Sequence, residues 1–227
     1  MKKNLLLVIL FLCGYAFEAI SQNETHIGIK VGITSANING SDVNQLSNNG
    51  NPSALQGLNL GIFVNSKTKR NFWIKSELIY IQKGSVLNYK DGSGNSLHSN
   101  LKSSYIDLYP FSPTFHWKGL QVLAGPYVSM LLSSSIQDST TFGHPSWLTT
   151  YRQKLDAGFV LGLEYESKWG ISIGARYTKG YIPLYEKPGN LVTNPSTTPS
   201  IQNIYNESIS ISIGYSFGRH KSEKKLY

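Results

Sequence analysis

The sequence predicts an all-β protein, an eight-stranded antiparallel up-and-down transmembrane β-barrel. Three observations predict it: segments that alternate apolar and polar residues, long polar connections that alternate with short turns, and an export leader at the N-terminus. The 227 residues suit one barrel plus a leader. Apolar residues make up 40% of the chain, but the several runs of about 20 apolar residues that a helical membrane protein needs are missing.

The first 21 residues have the features of a secretory signal peptide. Lys2 and Lys3 form its positive start, residues 5–12 its apolar core, and residues 19–21 a small-x-small cleavage site. The apolar run is too short for a transmembrane anchor. We therefore expect residues 1–21 to be removed from the mature protein.

The single cysteine, Cys13, lies inside this leader. A lipoprotein anchor at Cys13 needs a small residue before the cysteine, and Leu12 stands there. The mature chain consequently has no disulfide, no thiol nucleophile and no cysteine metal site.

Eight segments have the period-two pattern of strands with one apolar and one polar face. The alternation is strict in the first segment, near the N-terminus, and in the last three, whereas the four between them are less regular. In chain order the segments are residues 26–34, 58–64, 72–81, 105–111, 120–133, 156–165, 169–178 and 208–217.

The connections alternate between long and short. Residues 39–54, 85–100, 137–151 and 183–205 are predicted as long polar loops, and residues 67–70 and 167–168 as tight turns. The remaining connection is a shorter link that contains Pro110, Pro113 and Gly119. Outer-membrane barrels have long extracellular loops and short periplasmic turns, so both termini are expected in the periplasm.

The polar rows combine Gly, Ser and Thr with isolated charged residues, which suits a narrow lumen filled by side chains. Three of these charges are basic and four acidic, so they nearly cancel. Because an isolated buried charge is costly, we expect them to pair as a lumen charge network. Its predicted members are Lys30, Lys75, Glu77, Asp107, Asp156, Glu164 and Arg176.

The apolar rows carry aromatic residues near their ends, as expected for the two girdles that lie at membrane–water interfaces. On the turn side these are Phe72, Tyr165, Trp169 and Phe217, and on the loop side Tyr80 and Tyr177. Ser76 is an exception within an outward row. A soluble barrel would have the opposite faces, with its apolar rows inside.

Residues 26–217 resemble the PorT-like outer-membrane β-barrel family of Bacteroidota. The resemblance implies an eight-stranded barrel in the cell outer membrane, and one named member of that family assists a protein secretion system. Residues 22–217 are then the barrel domain and residues 218–227 a basic, polar periplasmic tail. The matching pieces are Glu77-Leu78 with Tyr80 and Lys83-Gly84, Gly125-Pro126-Tyr127, Asp156-Ala157-Gly158 with Gly162 and Tyr165, Arg176-Tyr177, and the final Gly214-Tyr215-Ser216-Phe217.

Catalytic and metal-binding patterns are missing from the sequence. The five histidines lie far apart without ligand spacing, and no nucleophile elbow, zinc-protease motif or phosphate loop occurs. The nearest pair for a lipid-modifying barrel enzyme is Ser112 with His116, in the predicted link and without a placed acid. We therefore predict no catalytic residue, no cofactor and no metal.

A structural or surface-loop interaction role follows as the predicted function. The expected partners are outer-membrane lipid and a protein that binds the long loops of a monomeric barrel. Nucleic acid is not expected, because the net charge of +8 is scattered apart from Lys221, Lys224 and Lys225 in the tail. The alternatives are an accessory of an outer-membrane secretion complex, a lipid-modifying enzyme and a narrow pore.

Overall fold

The computed structural model describes residues 24–43, 52–90, 96–138, 153–185 and 203–217. Within them eight antiparallel strands form a closed barrel in which each strand pairs with its sequence neighbours and the last pairs with the first. The predicted fold class is confirmed. The strands are β1 Thr25–Asn39, β2 Ser53–Lys69, β3 Phe72–Lys90, β4 Ser96–Trp117, β5 Leu120–Asp138, β6 Leu155–Glu166, β7 Ile171–Gly180 and β8 Tyr205–Phe217.

The apolar rows face outward and the polar rows face the lumen. In β1, Ile29, Val31 and Ile33 are each about half exposed, whereas Lys30 and Thr34 are buried. A soluble barrel would expose the polar row to water, so this arrangement identifies the outer surface as a lipid-facing one. No helix in the described part of the chain is long and apolar enough to span a membrane.

The predicted loop at residues 85–100 is wrong, because most of it is strand. β3 continues to Lys90 and β4 begins at Ser96, with Leu87 paired to Ser99 across the ladder. Leu87 and Leu101 continue the inward rows of their strands and are fully buried. Apart from Val86, the outward rows here are polar, since this part of the barrel lies beyond the apolar belt. Polar outward rows gave the segment the composition of a loop.

The predicted link at Pro110 and Pro113 is also wrong, because β4 passes through both prolines and ends at Trp117. Register shifts between Leu108 and Thr114 in the ladder with β5, and between Lys75 and Glu77 in the ladder with β3, accommodate them. The hydroxyl of Ser76 donates a 2.7 Å hydrogen bond to the Pro110 carbonyl. This bond accounts for the polar residue in an outward row.

A two-residue turn joins β4 to β5. Lys118 and Gly119 have φ angles of 49° and 89°, and positive φ at both central residues is the geometry that matches the twist of paired strands. The glycine takes this conformation without steric cost.

The wall of the barrel differs in height around its circumference. Strands β3, β4 and β5 have 19, 22 and 19 residues, whereas β6 and β7 have 12 and 10. About 9–11 residues suffice to cross a bilayer. The ladder between β5 and β6 ends at Met130 and Leu155, so the taller wall projects beyond the membrane at the loop end.

Candidate functional site

The lumen at mid-height contains five of the predicted charged residues in one cluster. Lys30 comes from β1, Lys75 and Glu77 from β3, Glu164 from β6 and Arg176 from β7. All five are buried, with at most 5% of any residue exposed. Because strand side chains alternate between faces, each was directed inward by its position in the period-two pattern.

Three cations in this cluster share two carboxylates. The Lys30 Nζ lies 2.7 Å from Glu77 Oε1 and 3.2 Å from Glu164 Oε1. Arg176 donates from Nε to Glu164 at 2.9 Å and from Nη2 to Glu77 at 3.0 Å, and Lys75 donates to the second oxygen of Glu164. The cluster therefore cross-links four strands across the lumen, and charge-assisted bonds of this kind are among the strongest in proteins.

An aromatic ring lies beside these cations. Lys75 Nζ is 4.6 Å and Lys30 Nζ 5.6 Å from the centre of the Phe63 ring. A cation over a desolvated ring is stabilised by the ring quadrupole. The cluster has one more cation than carboxylates, and the Phe63 ring thus gives its lysines an electrostatic partner besides the two carboxylates.

Asp107 and Asp156 do not join this cluster. Asp107 lies 2.8 Å from Lys83 Nζ and accepts hydrogen bonds from Ser129 and Tyr109. Asp156 accepts a 3.2 Å bond from the Tyr127 hydroxyl and a 2.9 Å bond from the Asn206 amide.

Sequence reasoning did not place Lys83 among the lumen charges, although it is only 1% exposed. Its Nζ lies 4.7 Å and 5.2 Å from the ring centres of Tyr127 and Tyr105. The predicted third strand stopped at residue 81, and one further step of the alternation would have placed Lys83 inside. With it, the two clusters hold four cations and four carboxylates: Lys30, Lys75, Lys83 and Arg176 with Glu77, Asp107, Asp156 and Glu164.

The loop end of the lumen is closed by apolar side chains. The buried group comprises Ile38, Val43, Leu87, Leu101, Leu184, Tyr185 and Ile204. Backbone hydrogen bonds of 2.8 Å from Gln153 to Leu184 and from Leu184 to Ile204 hold the segment after β7 across the mouth. The mouth is therefore packed by described residues alone.

The turn end of the lumen contains an aromatic stack. The Trp73 ring lies between the imidazoles of His26 and His116, with centroid distances of 5.5 and 4.7 Å. The expectation that His116 lies in a turn is wrong, because β4 extends to Trp117. Ser112 is fully buried on the same inward row, so this pair does not present a nucleophile and base to lipid.

The predicted interface aromatics occupy two positions along the barrel. Phe72, Tyr165, Trp169 and Phe217 are 50–69% exposed around the turn end. Phe115 and Trp117, which the shorter predicted fourth strand left out, are also exposed there. At the other height, the Tyr80 hydroxyl lies 2.9 Å from Ser104 Oγ and the Tyr177 hydroxyl donates to Glu207 at 2.6 Å. These hydroxyls have polar partners where the apolar belt ends.

A surface hollow of about 390 Å³ lies at the loop ends of β1, β7 and β8. Asn39, Lys179, Tyr181 and Tyr205 line it, and Tyr181 is 64% exposed. No group of three or more metal-ligating side chains occurs among the residues that the structure describes.

The family match agrees with this architecture. The sequence matches the family described as outer membrane protein beta-barrel domain over residues 20–186. No curated protein sequence matches it. The similar solved structures include Ail of Yersinia pestis, crystallised with the heparin analogue sucrose octasulfate. Ail is 12% identical to this chain with a TM-score of 0.41, and the match covers 86% of this chain and 99% of Ail. Neisserial surface protein A is 12% identical with a TM-score of 0.45, covering 84% and 97% of the two chains, and OprG of Pseudomonas aeruginosa is 12% identical with a TM-score of 0.43, covering 86% and 97%.

Proposed function

Since the chain belongs to the outer membrane protein beta-barrel domain family, we propose that it is a sealed, non-catalytic barrel whose loop end binds a protein partner. The single observation that carries the sealed lumen is the ion-paired cluster of Lys30, Lys75, Glu77, Glu164 and Arg176. Eight strands enclose only enough room for side chains, and here the side chains bond to one another.

Three successive layers argue against conduction. The stack of His26, Trp73 and His116 lies at the turn end, the two charge clusters at mid-height, and the apolar group around Leu87 and Leu184 at the mouth. An ion that crossed would have to separate buried ion pairs, and a buried charge without its partner is strongly unfavourable.

The orientation follows from the connections. Three of the four connections between strands at one end of the barrel are long, and those at the other end are tight turns, so the loop end is extracellular and the turn end periplasmic. Residues 1–21 act as the signal peptide, and residues 218–227 continue from the periplasmic end of β8. The continuous lipid-facing surface suits a monomer.

The loop end has the features of an interaction surface. Strands β3 to β5 project beyond the membrane on one side of this end, and on another side the hollow at the ends of β1, β7 and β8 is rimmed by tyrosine, asparagine and lysine side chains. Tyrosine is enriched at the centres of protein interfaces because it combines a large apolar area with a polar tip. A protein partner is therefore the proposed ligand of this end.

An accessory role in an outer-membrane secretion complex is the second candidate, and the PorT-like resemblance favours it. It predicts a partner that itself belongs to an export machine. A lipid-modifying enzyme is less well supported, because Ser112 and His116 face the lumen.

Co-purification from gently solubilised membranes tests the proposal. We expect one protein to be recovered with the wild type in stoichiometric amount, to be lost with Tyr181→Ser and to be retained with Tyr165→Ser. Tyr165 is a matched control, since it is 53% exposed at the opposite end. Recovery that is unchanged in Tyr181→Ser, or turnover of labelled lipid by the purified wild type, would contradict it.

A further inference from the structure

The turn end forms a single hydrogen-bonded rim. The backbone N–H groups of Lys67, His116, Glu166 and Ser216 donate to the carbonyls of Glu24, Asn71, Gly119 and Gly170, at 2.8–2.9 Å. Each bond joins a strand end to the N-terminal segment or to the turn that precedes it around the barrel. The backbones of the three turns are thus held around one circle.

Every turn of this rim pairs a cation with an exposed aromatic residue. Lys69 and Arg70 precede Phe72, Lys118 follows Trp117, and Lys168 precedes Trp169. The Lys118 Nζ lies 5.4 Å from the centre of the Trp117 ring. Since exposed aromatic side chains mark the level of lipid headgroups, the neighbouring cations lie at the depth of the phosphates.

The carboxylates described at this end are already engaged. Glu24 accepts a 2.8 Å hydrogen bond from Lys67, which holds the pKa of Glu24 below its usual value. Glu166 is 6% exposed and accepts a 2.5 Å bond from the Gln121 amide. Lys69, Arg70, Lys118 and Lys168 are exposed, and none of the described carboxylates pairs with them.

The loop end differs in this respect. Its described cations Lys102, Lys154 and Lys179 are accompanied by Asp42 and Glu207, and Lys179 is the register partner of Glu207. Among the side chains that the structure describes, the excess of exposed positive charge is thus concentrated at the turn end. A ring of cations within the headgroup layer is complementary to lipid phosphate.

We propose that the turn-end rim, through Lys69, Arg70, Lys118 and Lys168, selectively binds the headgroup phosphates of anionic phospholipids in the periplasmic leaflet. The binding fixes the depth of the barrel in the membrane together with the aromatic residues. The assignment of the leaflet rests on the proposed orientation, whereas the selectivity for anionic over zwitterionic headgroups rests only on the rim itself.

Native mass spectrometry of the folded protein released from nanodiscs tests this selectivity. The discs contain equal amounts of phosphatidylglycerol and phosphatidylcholine with matched chains. A cation near an anionic surface favours binding about fivefold at low salt, so we expect the retained lipid to be enriched in phosphatidylglycerol by at least about fivefold. The enrichment should fall at least about twofold from the wild-type value in Lys69→Gln/Lys118→Gln/Lys168→Gln, which retains Arg70.

The matched control removes the same charge at the other end, as Lys102→Gln/Lys154→Gln/Lys179→Gln, and should keep the wild-type enrichment. Heat-dependent gel migration checks that both variants are folded barrels. No enrichment in the wild type, or equal losses in the two variants, would overturn the proposal. So would a photo-crosslinker at position 118 that reacts in native membranes with an acidic protein and not with lipid. None of these outcomes depends on whether the loop end binds a partner.

Discussion

The central cluster predicts an asymmetry between losing a carboxylate and losing a cation. Glu164 contacts Lys30, Lys75 and Arg176, so Glu164→Gln leaves three buried cations around Glu77 alone. Lys30→Met instead leaves two cations and two carboxylates. Glu164→Gln therefore leaves uncompensated positive charge in the cluster. Lys30→Met removes hydrogen bonds but leaves equal numbers of cations and carboxylates.

The magnitudes follow from burial. Both residues are at most 4% exposed, so solvent screens the change weakly. Breaking a buried ion pair costs about 3–5 kcal/mol, which we expect for Glu164→Gln. Lys30→Met loses its two charge-assisted contacts but restores local balance, and we expect a loss of about 1–3 kcal/mol.

Urea titration of the folded protein in detergent micelles measures both changes as free energies of unfolding. Glu207→Gln is the matched control, since Glu207 is only partly buried and bonds Asn39 and Tyr177; its loss should cost no more than about 1 kcal/mol. If Lys30→Met proved more destabilising than Glu164→Gln, the charge-balance argument would be refuted.

Three further predictions concern processing, topology and the second cluster. N-terminal sequencing of the protein from purified outer membranes should begin at Gln22, and retention of residues 1–21 would contradict the signal peptide. Protease added to whole cells should cut within residues 39–54, 91–95, 137–151 or 183–205 and spare the basic turn at residues 67–70; cleavage at that turn in intact cells would invert the topology. Lys83→Met should lower the free energy of unfolding by about 3–5 kcal/mol, because Asp107 loses its 2.8 Å ion pair, and Lys83→Met combined with Asp107→Asn should recover part of that loss.

The sequence was sufficient for the fold and for the direction of the lumen charges. In a strand whose apolar row faces lipid, the alternating polar row must face the lumen, so Lys30, Glu164 and Arg176 had to point inward. The sequence was not sufficient to predict which lumen charges bond to one another. Lys30 bonds Glu164 from a position 134 residues away, and such pairs depend on how the strands are staggered around the closed barrel.

The errors share one cause, which is that strands were ended where their outward rows became polar or contained proline. Ending the third strand at residue 81 hid Lys83, and ending the fourth at residue 111 hid Phe115 and Trp117. The missing signal was present in the inward rows, where Leu87 and Leu101 continue the alternation. Polar residues on the outer face are compatible with a strand that has left the bilayer.

Single-channel recording on the purified wild type in planar bilayers tests the sealed lumen most directly. The account predicts no stable conductance, because Arg176, Glu77 and Glu164 bond across the lumen and apolar side chains close its mouth. Glu164→Gln combined with Arg176→Met is the control for a loosened cluster and should still not conduct while the Leu87 and Leu184 layer remains. Steady, ion-selective current steps from the wild type would show a water-filled path and contradict the account.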